Sequence, residues 1–241
     1  MDFAYVVYSD KGGREVNEDS VGVVRNADNH CFVLCDGLGG HGMGDVASSL
    51  VVDVFKDQFS KTDDVVNFLG QAFCASQDIL MAEQIVRNAK RKMKTTAVAL
   101  VTDDRNAYIG HVGDSRAYVF SKCKVKMRTQ DHSIPQMLVL SGEIKEKEIR
   151  NHPDRNTILR VIGIDWEEPM YDLMSPLPLK KCQAFLLCSD GFWELIEEKD
   201  MCALLKRAKT VDEWMQSMIR IVKENGKNRN MDNYSAIAVW L

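Results

Sequence analysis

The sequence predicts an α+β fold in which two antiparallel sheets pack against each other and helices cover them from outside. Three observations carry that expectation. Strand-like segments arrive in hairpin-linked blocks, helices arrive in separate pairs, and each long helix needs a sheet face on which to bury its apolar stripe. At 241 residues with 45% hydrophobic and 27% charged residues, the chain is long enough for such a fold and ordinary for a globular protein. No linker or repeat interrupts it, so one domain spanning 1–241 is expected.

Strand patterns run from Phe3 to Tyr8, Ser20 to Arg25 and Cys31 to Cys35. Val46, Ala47, Leu50, Val51, Val54 and Phe55 then repeat at helical spacing, as do Val65, Leu69, Ala72, Phe73, Ser76 and Leu80. Four strand candidates follow, at 96–102, 107–112, 116–120 and 124–128. Their short polar connections suit one antiparallel meander. The stretch 131–156 is polar and charged, with Pro135, Gly142 and Pro153, and reads as a short helix plus a mobile loop. Gln183 to Cys188 is another strand. Val211, Trp214, Met215, Met218, Ile219 and Val222 form the last clear amphipathic helix, and Ala236 to Leu241 a closing strand.

Composition narrows the function classes. A net charge of -4 argues against a nucleic-acid surface. The basic run Arg87, Lys90, Arg91, Lys92, Lys94 reads as a solvated helix end. The start has no signal-peptide pattern, and no segment approaches the roughly 18 apolar residues of a membrane span. Seven cysteines scattered through strands and helices fit reduced core thiols, hence a cytoplasmic setting. Cys31 and Cys35 are four apart, but in an extended strand they lie roughly 13 Å from each other. Core packing suits them better than zinc.

Chemistry concentrates in acidic turns: Asn17-Glu18-Asp19, Asp36-Gly37, Ser189-Asp190-Gly191 and Asp232-Asn233. Asp36 and Asp190 each follow an apolar run, Phe32-Val-Leu-Cys and Phe185-Leu-Leu-Cys, which puts a carboxylate at the edge of the core. Such edges brought together make an oxygen-lined site for hard divalent cations. A phosphate monoester dianion repels hydroxide, and its hydrolysis needs acceleration of up to about 10²¹-fold. Two cations about 3.5–4 Å apart can share one water, acidify it and aim it at phosphorus. The five histidines are isolated along the chain and do not offer this; Asp and Glu at turns do. An arginine fork matches phosphate oxygens in bidentate geometry.

In order, the chain contains Arg14-x-x-Asn17-Glu18-Asp19, Asp36-Gly37-x-Gly39-Gly40-His41, Gly113-Asp114-Ser115-Arg116, Asp131-His132-Ser133, Ser189-Asp190-Gly191 and Asp232-Asn233-Tyr234-Ser235. This series resembles the metal-dependent protein phosphatases of the type 2C family, particularly short bacterial members, over nearly the whole chain. The resemblance implies a four-layer sandwich and hydrolysis of phosphoserine and phosphothreonine on protein substrates by metal-activated water, without a phosphoenzyme. It implies two Mg²⁺ or Mn²⁺ ions. Asp36 would bridge them, Glu18 and the Gly37 carbonyl would complete one site, and Asp190 with Asp232 would hold the other. Asp19 would orient the water and Arg14 would grip the substrate phosphate. Asp114 with Asp190 resembles the pair that holds a weaker third ion. The 131–156 stretch falls where the family has a mobile flap. An opposing serine/threonine kinase and a monomeric state complete the expectation.

One departure stands out. Many relatives place a histidine directly after the matching Asp-Gly; here it is Leu38. The general acid is therefore unassigned, with His41 a candidate for that role or for a structural one. Asp131-His132-Ser133 is adjacent in sequence and cannot form a triad, so helix capping or loop fixing is its expected role. Ser115 and Ser189 lack the turn of an exposed nucleophile. Three rivals remain open to test. Gly37-x-Gly39-x-x-Gly42 satisfies a dinucleotide fingerprint, but no acid ends a second strand about 20 residues on. A pseudophosphatase would have lost its carboxylates, and a two-metal nuclease would show a basic groove.

Overall fold

The computed structural model describes residues 3–38, 42–90 and 92–241; Gly39, Gly40 and His41 of the glycine-rich turn, and Arg91 of the basic run, lie outside them. Strands β1 (Ala4–Asp10), β2 (Asp19–Asn26) and β3 (Asn29–Leu38) come first, then helices α1 (Gly44–Phe59) and α2 (Phe68–Val86). Next are β4 (Lys94–Thr95), β5 (Ala97–Thr102), β6 (Asn106–Val112), β7 (Arg116–Ser121) and β8 (Lys124–Arg128). Helix α3 (Ile134–Leu140), a 3₁₀ turn Glu146–Asn151 and the two-residue strands β9 (Asp172–Leu173) and β10 (Leu177–Pro178) lead to β11 (Ala184–Cys188). Helices α4 (Asp190–Trp193), α5 (Glu198–Arg207) and α6 (Val211–Gly226) precede the last strand, β12 (Tyr234–Trp240).

The strands form two antiparallel sheets, in the orders β1-β12-β11-β7-β8 and β10-β6-β5-β3-β2. Side-chain parity explains the layers. On β3, Cys31, Val33 and Cys35 pack with Val51 and Phe55 of α1 and Phe73 of α2. The alternate residues Phe32 and Leu34 meet Val119 of β7, Phe185 and Leu187 of β11 and Ile237 of β12. The far face of the second sheet, with Phe120, Leu186 and Ala238, packs against Met201 of α5 and Trp214, Met215 and Met218 of α6. A strand buried on both faces reads as a continuous apolar run, which is why β3 and β11 lack alternation. The result is helices, sheet, sheet, helices. Cys31 and Cys35 are core residues, as their spacing required.

Helix ends follow local chemistry. The Thr210 hydroxyl accepts the Glu213 N–H at 3.1 Å and caps α6. Of the basic run, Arg87 pairs with Glu83 at 2.6 Å, and Lys90 and Lys92 are exposed at the end of α2.

The predicted four-strand meander does not form. β5 pairs with β6 and β7 with β8, but β6 and β7 belong to different sheets. Gly113, at φ +101, turns the chain across the sandwich instead of back along the same sheet. β7 finds its other neighbour in β11, with Arg116 opposite Cys188 and Phe120 opposite Ala184. That pairing joins segments more than 60 residues apart, so local spacing cannot reveal it. Helix α5 also escaped the sequence reading: Met201, Leu204 and Leu205 stand at helical spacing, but the helix is only ten residues long and the stripe is passed over. The 131–156 stretch holds α3 and the 3₁₀ turn, and Arg150 fastens it by donating to the Trp193 carbonyl and to Glu198.

Candidate functional site

One end of the sandwich carries a cleft of about 530 Å³ whose walls include Arg14, Glu18, Asp36, Gly37, Asp190 and Asp232. Six of the eight candidate residues thus share one cavity, although they span more than 200 positions of sequence. Asp19 is buried beneath it and Asp114 lies at 2% exposure behind Asp190. Asn156 and Ile158, at the end of the predicted flap stretch, form part of the wall.

Strand register creates the first crowding of charge. Asp19 begins β2 and stands directly opposite Asp36 near the end of β3. Like charges directly opposed across a ladder are destabilising, so this pair is costly unless something cationic sits beside it. The position of Asp36 is over-determined: its N–H donates to Thr96 Oγ1 at 3.1 Å, and its carbonyl accepts from Thr95 Oγ1 and the Thr96 N–H, each at 2.8 Å. Gly37 follows because nothing larger fits. A Cβ there would come within 2.2 Å of the Gly44 carbonyl oxygen and 2.6 Å of the Glu18 carbonyl oxygen.

The other sheet supplies the facing acids. β11 ends at Cys188, and Asp190 opens the short helix α4 two residues later. The Ser189 hydroxyl donates to Asp19 Oδ2 at 2.8 Å and accepts the Ser235 N–H at 3.0 Å, which ties the two sheets together under the cleft. Asn233 does the same for the loop carrying Arg14 and Glu18. Its Oδ1 accepts the Glu18 N–H at 2.8 Å, and its Nδ2 donates to the carbonyls of Lys11 and Val16 at 2.9 and 3.0 Å. Arg14, half-exposed, donates from Nη2 to Asp232 Oδ2 at 2.8 Å.

Sequence reasoning found the acids and missed what holds them. Thr95, Thr96, Ser189 and Asn233 have no reactive role that spacing could reveal. Their only signal is that each lies within two residues of a turn or strand end already singled out.

Electrostatics show an incomplete site. Burial, then the neighbouring charges of Asp19, Asp190, Asp114 and Asp232, pushes the Asp36 carboxyl well above its ordinary value. Burial and then Asp114, Glu194, Asp232 and Asp19 do the same to Asp190. Asp19 is pushed up to about 6 by burial, against the lowering effect of hydrogen bonds from Ser235 and Ser189. Burial and the nearby Asp131 raise Asp114 to about 7. Asp19 Oδ1 and Asp114 Oδ1 are buried with no hydrogen-bond partner. Crowded carboxylates with orphaned oxygens, and a single exposed arginine among them, are the donor set of hard divalent cations. The acids ring the cleft and do not focus on one point. Among the described residues, the only three metal-ligating side chains whose atoms all come within 4.8 Å of one another are His111, His132 and Asp172, outside this cleft. A ring of that kind suits ions that keep several waters.

The comparisons agree with this geometry. The family pattern of Protein phosphatase 2C matches residues 9–234. A serine/threonine phosphatase (stp) of Listeria monocytogenes is 31% identical over 230 residues, covering 90% of this chain and 88% of that protein. The crystal structure of the Staphylococcus aureus serine/threonine phosphatase Stp1 superposes with a TM-score of 0.89 at 29% identity, over 100% of this chain and 96% of that one. The catalytic domain of the serine/threonine protein phosphatase PstP, solved in complex with two manganese ions, superposes with a TM-score of 0.79 at 25% identity, over 99% and 97% of the two chains. Sequence pattern, relatives and two-sheet architecture agree: this chain belongs to the protein phosphatase 2C family.

Proposed function

We propose that the protein hydrolyses phosphoserine and phosphothreonine monoesters on proteins, with Mn²⁺ or Mg²⁺ as cofactor. The observation that carries the reading is the opposition of Asp19 and Asp36 across β2 and β3, facing Asp190 and Asp232 from the other sheet. A pseudophosphatase would have lost part of this set, and here it is complete. Helix α1 is followed by α2 and not by the second strand of a βαβ unit, so no strand end lies where a dinucleotide site would need its acid, and Asp36 would repel a pyrophosphate.

Bound cations would supply the nucleophile, by lowering the pKa of a shared water, and would offset the charge on the phosphate. Each residue has a task around them. Asp36 would bridge two ions, Glu18 and the Gly37 carbonyl would hold one, and Asp190 with Asp232 the other. Asp114, behind Asp190, would hold a weaker third with it. Asp19 offers a buried Oδ1 with no protein partner, placed to orient the attacking group. Arg14 sits where its fork can take phosphate oxygens while remaining within reach of Asp232. Leu38 cannot protonate the leaving alkoxide, and solvent at the cations would deliver that proton in its place; His41, the other candidate, lies outside the described residues.

The family match over 9–234 supports a single domain, with 131–156 as a flap beside the cleft. Seven free cysteines support a cytoplasmic setting, where an opposing serine/threonine kinase would supply the substrate. All the residues proposed for the site lie within this one sequence, so the site needs no second copy to be complete, and a monomer is the state we propose. None of the described helices is long and apolar enough to cross a membrane. The deciding assay follows phosphate release from a phosphothreonine peptide with Mn²⁺ and with chelator. Release that needs Mn²⁺ is expected; peptide binding without turnover would favour the pseudophosphatase instead.

A further inference from the structure

His132 is a well-connected residue near the cleft that the chemistry above leaves unused. Its N–H donates to the Gly113 carbonyl at 2.9 Å, and its own carbonyl accepts the Leu159 N–H at 2.7 Å. Ring Nδ1 accepts the Gly113 N–H at 3.1 Å. Nε2 lies 3.1 Å from Asp172 Oδ2. One residue thus satisfies both backbone groups of Gly113, whose φ of +101 starts the turn into Asp114. The turn continues to Ser115, whose hydroxyl lies 2.8 Å from Thr96 Oγ1, and that same atom accepts the Asp36 N–H.

The hydrogen bonds fix the ring's tautomer. An acceptor at Nδ1 requires the proton on Nε2, which then donates to Asp172. Burial lowers the His132 pKa, and an Nδ1 that accepts the Gly113 N–H carries no proton, so the ring is neutral in this arrangement. His111 stacks on it, ring centroids 4.5 Å apart, with Nε2 2.7 Å from the Gln130 carbonyl and Nδ1 bare. This trio resembles a metal site in its distances. Its tautomer argues otherwise: Nε2 could ligate only if its proton moved to Nδ1, which would aim two N–H donors at each other over 3.1 Å. Asp172 is a lock on the ring, not a ligand.

We propose that His132, held in one tautomer by Asp172, is a positioning residue that fixes the Gly113–Asp114 turn and so sets the affinity of the weakest-bound cation. The proposal rests on the reading of Asp114 as a ligand of that ion. Asp172 is half-exposed and also takes Arg160 Nη1 at 3.3 Å, so its replacement spares the core.

The test measures Mn²⁺ binding by the electron paramagnetic resonance of free Mn²⁺, and the tautomer of His132 by ¹⁵N spectra of the chelated enzyme. Asp172→Ala should give mixed tautomers and weaken only the last Mn²⁺ by several-fold. His132→Ala should weaken it by roughly 10–100-fold, the usual effect of removing an outer partner of a metal ligand. His132→Asn can place its amide oxygen where Nδ1 now accepts, and should recover most of the loss. A mixed tautomer with unchanged Mn²⁺ binding in Asp172→Ala would overturn the proposal, as would an asparagine variant no better than alanine. Asp114→Asn separates the two levels. If it keeps the weakest ion, the ligand reading fails and takes the proposal with it. If it loses that ion while Asp172→Ala and His132→Ala keep it, positioning alone fails. Should His132→Ala not fold, the Asp172→Ala and His132→Asn results decide.

Discussion

Two buried groups of charge adjoin at Asp114, and they are built on opposite principles. In one, Arg116 grips Asp131 with both arms, at 2.8 and 2.6 Å, donates a third bond to the Tyr118 hydroxyl at 3.0 Å, and lies 3.4 Å from the Trp193 ring centroid. Every charge there has its partner inside the fold. In the other, Asp19, Asp36, Asp114, Asp190 and Asp232 crowd together, with Arg14 alone among them at the rim. The first cluster is complete and therefore structural. The second is complete only with something added from solvent, which is what a binding site is.

That contrast can be broken by experiment. The largest effect should come from Arg116→Met, which leaves Asp131 buried and unpaired and should cost about 3–5 kcal/mol in urea denaturation. Asp36→Asn should act with the opposite sign on the metal-free protein, stabilising it by roughly 1 kcal/mol through relief of a like-charge pair. The same change should cut Mn²⁺-dependent phosphate release by more than roughly 100-fold, beyond the loss usual for partners outside the ligand set. If both variants destabilised the metal-free protein equally, the two clusters would not differ in kind.

A smaller effect sharpens the comparison through pH. Asp19 and Asp114 have folded-state pKa values raised to about 6 and about 7. Between about pH 4 and those values the folded protein holds protons that the unfolded chain has released. Metal-free stability should therefore fall as pH rises through that window. Mn²⁺ at ten times its dissociation constant should add roughly 1.4 kcal/mol and flatten the fall, with proton release on binding as a calorimetric signature. A metal-free protein whose stability rose from pH 4 to 7 would remove the argument for strained carboxylates. The least effect is expected at the rim. Arg14→Lys keeps the charge but loses the fork, and should raise KM for a phosphothreonine peptide by roughly 3–10-fold with little change in stability.

The acids were legible in the sequence because each announces itself locally: an apolar run, then a carboxylate at a turn. Asp36 and Asp190 follow that rule, and helices α1, α2 and α6 declared themselves through periodic stripes. What stayed hidden depends on partners distant in the chain. The crossing at Gly113–Ser115 looks like a hairpin until β11 is available to pair with β7. Asn233 is one polar residue among many until its amide reaches Lys11, Val16 and Glu18. His132 likewise acquires its role only when Asp172 returns to lie beside it. Spacing can name the groups that react; it cannot name those that hold them still.

The interior between the sheets, Phe32, Leu34, Val119, Phe185 and Ile237, has a further consequence. Asp36 rides on one sheet and Asp190 leaves the other, so the gap between them is set by how the two slabs seat on each other. The apolar filling works as a gauge block, calibrating the separation of charges it never touches. Trimming Phe185 to leucine would let the slabs slip, and the enzyme would lose cation spacing before it lost its shape.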